Sequence, residues 1–317
     1  MILCIGEAVI DLFFRSTPQL GEIFFPLPGG CAYNTSIAAS RLGAEAAFLG
    51  RISRSFFGDI QLKRLQENNV KDDFIIRCDE NPVLAFIKTE KGKEPEYAFY
   101  DEGTADRLLS ESELPCKLPA DTSCIMFGSI SMAMEPIATT IENFILKEAK
   151  ERVIVFDPNI RPLIIKDRAL YIRRFEKWAA VSSIVKISIE DFDYIMPNVN
   201  PSSALDKLTA LGTRLAVITL GADGAIAQLK RDGGSAVKIT IPGIKLSKAA
   251  DTVGAGDTFC GALLAWLDTR GLMSHNIIAA LSENDLKDAL VFANRAAAFV
   301  CTRNGAEPPT VKELKDF

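Results

Sequence analysis

The stretch Asp251-Thr-Val-Gly-Ala-Gly-Asp-Thr-Phe-Cys-Gly-Ala-Leu-Leu264 decides how this chain is read. A Gly254-Ala255-Gly256 turn runs into an apolar segment of small residues, and the spacing predicts a helix over roughly 255–268. Glycines let a backbone approach a ligand closely and take positive φ where needed. The first turn of a helix leaves N–H groups without partners, and together with the helix dipole they form an anion site. Asp257 stands at that site. An aspartate there can simply cap the helix, but a cap does not need Gly-Ala-Gly before it. A phosphoryl-transfer site accounts for it. Fixed N–H groups stabilise charge developing on the transferred group, and an adjacent carboxylate accepts the proton of an attacking alcohol.

No Gly-x-x-x-x-Gly-Lys-Ser/Thr loop occurs, and no Gly-x-Gly-x-x-Gly follows the first strand-like run. The phosphate site therefore falls on the 254–257 turn. Working outward, strand-like runs at 2–5, 46–50, 123–127, 152–157, 184–187 and 215–219 alternate with helix-like segments at 33–42, 135–150, 167–179, 201–211 and 285–303. Such alternation predicts an α/β fold, with a mostly parallel sheet covered by helices on both faces. Two stretches break the pattern, 12–28 and 83–104, where aromatic residues lie among turn residues. They predict short antiparallel strands with polar turns, one of them around Glu90-Lys-Gly-Lys93. These would form a small lid beside the main sheet; two hairpins with only a packing role are the plainer alternative.

Composition removes several function classes. With 48% hydrophobic residues among 317, a large core is available, and the net charge of −5 argues against a nucleic-acid binder. The seven cysteines are scattered without a Cys-x-x-Cys, so reduced thiols are expected rather than disulfides or zinc. No basic leader and no long apolar run is present, which points to a soluble, cytoplasmic protein outside the membrane. The single histidine, His275, is expected in an exposed loop, so histidine-based triads and metal sites are excluded. The chemistry must come from carboxylates, backbone dipoles and a bound nucleotide.

At this point the residues resemble a known family. The 251–264 segment is similar to the C-terminal signature of the ribokinase-like (PfkB) carbohydrate kinases, and Pro28-Gly-Gly-Cys-Ala-Tyr-Asn-Thr-Ser-Ile-Ala-Ala-Ser-Arg-Leu-Gly43 resembles their other signature. The likeness runs from Gly6 to Pro309. It implies one kinase domain over 1–317, of three-layer α/β/α form with a small antiparallel β lid built from about 12–28 and 83–104. It also implies roles by position. Asp257 is the catalytic base, and Gly254, Ala255 and Gly256 form the anion hole. Asp11, Gly29, Gly30 and Asn34 bind sugar hydroxyls. Asp supplies acceptors, Asn both donates and accepts, and the glycine pair admits the sugar against backbone. A strand-end turn is the plainer role for Asp11, and a helix cap for Asn34.

The Asp157-Pro-Asn-Ile-Arg161 segment resembles that of fructokinases and keto-deoxygluconate kinases, so Arg161 would reach the substrate or the transferred phosphate; a purely structural arginine is the alternative. Thr219-Leu-Gly-Ala-Asp-Gly224 resembles the nucleotide-binding turn, through Thr219, Gly221 and Gly224, although an ordinary strand–turn–strand would read the same way. Asn294 falls where the family lines the adenine pocket. Lys186 and Ser188 stand in a Lys-x-Ser form on the nucleotide side, with Asp191 in the place of a glutamate that holds Mg²⁺ through water and Glu190 as its competitor. Asp251 would hold a monovalent cation such as K⁺, mainly through backbone oxygens. Ser53 departs from the family's glycine after Gly50.

Segments 97–109, 128–136 and 157–162 look like those of bacterial fructokinases, implying D-fructose phosphorylated at O6 by MgATP. A keto-deoxy-sugar acid kinase, a nucleoside kinase, a non-catalytic sugar sensor and a dinucleotide oxidoreductase are the other readings weighed. A homodimer through the lid edges is expected, since exposed strand edges must be covered.

Overall fold

The computed structural model describes residues 1–17, 20–88, 96–246 and 249–317. In chain order the elements are β1 (Ile2–Ile5), β2 (Val9–Thr17), β3 (Gly21–Gly29), α1 (Cys31–Arg41), β4 (Ala46–Ser53), α2 (Phe56–Glu67), β5 (Ile75–Cys78), β6 (Leu84–Lys88), β7 (Glu96–Tyr100), β8 (Cys124–Gly128), α3 (Ile137–Glu148), β9 (Val153–Asp157) and α4 (Arg168–Val181). They continue with β10 (Ile184–Ser188), α5 (Ile189–Ile195), α6 (Pro201–Leu211), β11 (Leu215–Thr219), β12 (Gly224–Lys230), β13 (Ala236–Pro242), α7 (Ala255–Asp268), α8 (His275–Ala279), α9 (Glu283–Val300) and α10 (Val311–Asp316).

The nine-stranded sheet has the order β13-β12-β11-β10-β9-β8-β1-β4-β5. Strands β11 through β5 in that order pair in parallel, and β12 and β13 close one edge antiparallel. Its central strands are buried on both faces, which is why β1 (Ile-Leu-Cys-Ile) and β8 (Cys-Ile-Met-Phe-Gly) carry no polar alternation. One hydrophobic cluster joins the sheet to α1, α7 and α9, through Ile37, Leu263 and Leu290. The other joins the opposite face to α3, α4 and α6, through Ile141, Trp178 and Leu208. The arrangement is the expected three layers.

The second sheet has the order β3-β2-β6-β7. The pairs β2–β3 and β6–β7 are antiparallel hairpins, as expected, while the inner strands β2 and β6 run parallel to each other. The lid is thus two hairpins laid side by side. It begins at Val9 rather than residue 12, so Asp11 belongs to a lid strand. The polar turn expected at Glu90–Lys93 lies outside the described residues.

The elements not anticipated include α2, α5, β5, β13 and α10. Helix α2 buries only Gly58, Gln61 and Leu65, so its apolar stripe is too thin to read. Helix α5 follows β10 without a loop, capped by the Ser188 hydroxyl accepting from Asp191 N–H at 3.0 Å. Strand β5 is short and half-buried. His275 also departs from expectation. It opens α8, is half-buried, and its Nδ1 lies 3.1 Å from Ser183 Oγ. The polar Ser274-His275-Asn276 run that looks like a loop is the start of a short helix.

Candidate active site

The site lies beyond the carboxyl ends of the parallel strands, beside β1, where the strand order reverses direction and such crevices form. Two helices meet there. α1 is buried over most of its length and packs on α7, so close that a side chain at Gly261 would meet Ala38 Cβ and Thr35 O at 2.7 Å. Small residues at this crossing bring the two helix starts together. Asn34 on α1 donates through Nδ2 to Asp257 Oδ2 on α7 at 2.8 Å. Asp257 Oδ1 accepts from Asn159 Nδ2 at 3.2 Å. The two signature segments, more than two hundred residues apart, are thus joined by hydrogen bonds, the second from the Thr35 hydroxyl to Asp257 O at 3.5 Å.

A cavity of about 320 Å³ opens here. Its lining includes Asp11, Gly30, Cys31, Asn34, Asn159, Arg161, Gly254, Gly256 and Asp257, roofed by Val9, Ala85, Ile87 and Phe99 of the lid. Asn34 spends its amide N–H on Asp257 and leaves Oδ1 buried without a partner. Such an acceptor is costly to leave empty, and a hydroxyl donor would satisfy it.

Each glycine has a local reason. Gly30 caps α1 at φ 112°, and a Cβ there would stand 2.5 Å from Glu7 O. A Cβ at Gly29 would run into Asp11 Oδ2, so the carboxylate folds over the glycine. Gly254 takes φ 75° at the start of α7, against Ala306. Ala255 N–H is used by Thr252 O at 3.2 Å. The N–H groups of Gly254, Gly256 and Asp257 have no partner among the described residues and are the donors left for an anion. Of the expected Gly254-Ala255-Gly256 anion hole, Ala255 therefore shapes the turn rather than donating.

Electrostatics follow from burial. Burial pushes the Asp11 carboxyl up to about 7; Arg161 opposes this, and Asp257 and Glu7 add to it. Burial likewise raises Asp257, against the Asn34 hydrogen bond and the charges of Lys186 and Arg161. A carboxylate so raised is a stronger base than one in water. Lys186 is buried beneath the turn, 2.9 Å from Asp157 Oδ2 and 3.0 Å from where a Gly256 side chain would begin. Burial works against its ammonium, but Asp157 outweighs that and holds its pKa above the ordinary lysine value. Lys186 is thus a fixed positive charge under the anion site rather than a group in the open cavity.

Arg161 lines the cavity, with Nη1 held by Asn159 Oδ1 at 2.7 Å and by the carbonyls of Asn159 and Ile160. Asp191 Oδ1 accepts from Ile160 N–H at 3.0 Å, and its other oxygen has no hydrogen bond among the described residues. Burial, then Asp157, pushes Asp191 up to about 6, against Lys186, Arg161 and Ser188. Glu190 is exposed.

The expected nucleotide residues lie apart from this cavity. Thr219 ends β11 and Gly221 is exposed at φ 57° with open space around it. Gly224 is buried at φ 101° against Ile241 O, and Asn294 Nδ2 donates to Pro242 O at 2.9 Å. Asp251 spends both carboxylate oxygens on the N–H groups of Val253 and Gly305, at 3.1 and 3.2 Å. Ser53 is buried, receives Ser55 N–H at 3.1 Å at the start of α2, and does not line the cavity.

Asn159, Cys31, Glu7 and Asp106 carry no role in the reading of the sequence. Asn159 sits in a quoted motif, and its positive φ of 37° is the kind of backbone that Asn tolerates. Glu7 accepts from Cys31 N–H at 3.0 Å at the start of α1 and from the Ser131 hydroxyl. Asp106 accepts from Ala8 N–H at 2.7 Å and Val83 N–H at 3.4 Å, pinning both chain segments that lead into the lid.

Comparison with known proteins gives a family and a fold. The model for the pfkB family of carbohydrate kinases matches residues 1–313. A fructokinase of Rhizobium leguminosarum bv. trifolii is 38% identical over 288 residues, covering 91% of this chain and 86% of the relative. Among solved structures, a fructokinase with bound ATP from Xylella fastidiosa superposes with a TM-score of 0.88 at 24% identity, covering 99% and 97% of the two chains. A Vibrio cholerae O395 fructokinase double mutant bound to fructose, ADP and a potassium ion gives 0.83 at 23% identity, covering 100% and 97%.

Proposed function

The chain belongs to the pfkB family of carbohydrate kinases, and we propose that it is a fructokinase, moving the γ-phosphoryl group of ATP to the 6-hydroxyl of D-fructose. One observation carries the reading. Asp257 is a buried carboxylate held at both oxygens by Asn34 and Asn159, at the start of a helix whose Gly256 and Asp257 N–H groups are unspent, on the floor of a polar cavity roofed by the lid.

The sugar lies under the lid. Asp11 accepts from its hydroxyls, Asn34 Oδ1 takes another, and Gly29 and Gly30 admit it against backbone. Asp257 orients the reacting hydroxyl and accepts its proton late in the transfer. The free N–H groups at 254, 256 and 257, with Lys186 beneath and Arg161 at the side, stabilise the transferred charge. The lid side chains Ile87 and Phe99 exclude water, which limits wasteful hydrolysis of ATP. The nucleotide lies across the Thr219–Gly224 turn toward Asn294.

The residues fit the ions the family implies. Asp191 keeps one oxygen free for a Mg²⁺-bound water, while Ile160 N–H holds the other and Ser188 caps the backbone beneath it. Mg²⁺ there supplies charge neutralisation on the phosphates. A K⁺ ion at 251–253 would be held by backbone carbonyls, because the Asp251 carboxylate is already committed.

We read 1–317 as one kinase unit and the lid as its dimer surface. Phe14, Phe24, Phe86 and Tyr100 form a succession of edge-to-face rings, in that order, drawn from all four lid strands, with centroids 5.0–5.8 Å apart. Phe24 and Tyr100 are exposed, as an unpartnered face would leave them. No helix among the described residues is long and apolar enough to cross a membrane. All seven cysteines are free, which fits a reducing, cytoplasmic compartment.

Arg161 in the cavity favours one second reading, an acidic acceptor such as a keto-deoxy-sugar acid. ADP release over a panel of neutral sugars, sugar acids and nucleosides decides between them. Fructose is expected to give the highest kcat/KM. A higher value for a sugar acid transfers the assignment, and sugar binding without ATP consumption by any acceptor overturns the kinase reading.

A further inference from the structure

Cys31 is the first residue of α1 and lines the cavity floor. Its Sγ, a carboxylate oxygen of Asp157 and one of Asp257 all lie within 4.8 Å of one another, and all three residues are buried. Asp157 places Oδ2 on Lys186 and leaves Oδ1 buried without any partner. The cluster is thus a thiol between two carboxylates with an acceptor unspent. The Mg²⁺ function does not use this donor set, because Mg²⁺ takes oxygen ligands and waters in octahedral geometry. A thiolate with carboxylates suits a softer divalent ion such as Zn²⁺ or Cd²⁺. Around a tetrahedral zinc at about 2.0–2.3 Å, donor atoms stand roughly 3–4 Å apart, so small side-chain adjustments close the site. The Lys186 ammonium next to Asp157 opposes a second cation, which makes this a site of inhibition rather than a resident structural centre.

We propose that Cys31, Asp157 and Asp257 form an inhibitory site for a thiophilic divalent cation, which ties up the Asp257 carboxylate and competes with the sugar. On binding, the Cys31 S–H bond gives way to a metal–sulfur bond and the proton leaves to solvent. That occupancy stops turnover rests on Asp257 being the base; that the ion binds does not.

The test titrates the full-length protein with Cd²⁺ and follows the thiolate-to-cadmium charge-transfer absorption in the ultraviolet. In parallel, Zn²⁺ inhibition of turnover is measured against fructose concentration, each variant relative to its own uninhibited rate. Wild type is expected to develop the band, and fructose to suppress it. Cys31→Ser is expected to lose the band and to need at least roughly 10-fold more Zn²⁺ for half inhibition, the lower end of what even outer-shell partners are worth. Cys116→Ser, which alters an exposed thiol, is expected to behave as wild type. A band that survives in Cys31→Ser, one indifferent to fructose, or equal Zn²⁺ sensitivity in both proteins overturns the proposal. If Cys31→Ser turns nothing over, the absorption decides alone. If wild type phosphorylates no sugar, the function fails while the band still reports on the site.

Discussion

On the side of the cleft proposed for the sugar, Asp257 and Asn34 are buried and Asp11 half-buried, with hydrogen bonds fixed across α1, α7 and the Asp157–Arg161 turn. On the side proposed for the nucleotide, Gly221 is exposed, Thr219 half-buried, and Asn294 is spent on a backbone carbonyl. One side is built of charged groups withdrawn from water, the other of backbone turns that the ligand can reach. The contrast has a physical reason. Chemistry needs groups fixed in place with shifted proton affinities, whereas a nucleotide shared by many enzymes needs shape and backbone donors.

Substitutions should therefore act unequally on the two sides. Asp257→Asn removes the proposed base without changing shape, and kcat is expected to fall by about 10²–10⁴ in steady-state assays, with the KM for ATP little changed. Asp11→Asn removes a half-buried charged acceptor worth about 1.5–3 kcal/mol. The KM for the sugar is expected to rise about 10- to 150-fold, and an equal rise in the KM for ATP would break the division between the two sides.

The pH dependence follows the same division. With Asp11 at about 7, kcat/KM for the sugar is expected to rise as pH climbs to about 7 and then level, because the ionised carboxylate is the better acceptor. Stability moves the other way. Asp11 at about 7 and Asp191 at about 6 lie above the unfolded value of 3.8. The ligand-free fold therefore holds protons that the unfolded chain releases, and their contribution falls as pH rises from about 4 through about 7. Asp11→Asn is expected to flatten that decline in Tm. Gly221→Ala, at φ 57° in open space, should have the smallest effect. It places a side chain in the left-handed region at a cost of about 1–2 kcal/mol, read as a modest drop in Tm with at most a several-fold change in the KM for ATP.

The sequence made six of the nine strands of the main sheet legible because they are buried runs, and it made the two signature segments legible because glycines and an aspartate cluster at a helix start, a pattern that a cap alone does not need. It did not reveal α2 or α5, whose buried stripes are too thin or too short to show a period. It did not reveal that Ala255 N–H is consumed by Thr252, since which N–H groups remain free depends on the turn that forms. Lys186 was legible as a site residue but not as a buried partner of Asp157, because the pairing joins β10 to β9 and appears only once the parallel register is known. Asn159 and Asp106 act through contacts of long sequence separation, and no local pattern announces such contacts.

The central claim is that Asp257 faces the hydroxyl that is phosphorylated. A crystal structure with fructose and a non-hydrolysable ATP analogue tests it most directly. The account expects the fructose O6 within about 2.6–3.2 Å of an Asp257 carboxylate oxygen, with another hydroxyl on Asn34 Oδ1 and Asp11 in contact. Fructose bound elsewhere, or seated in the cavity with O6 turned away from Asp257, would contradict it.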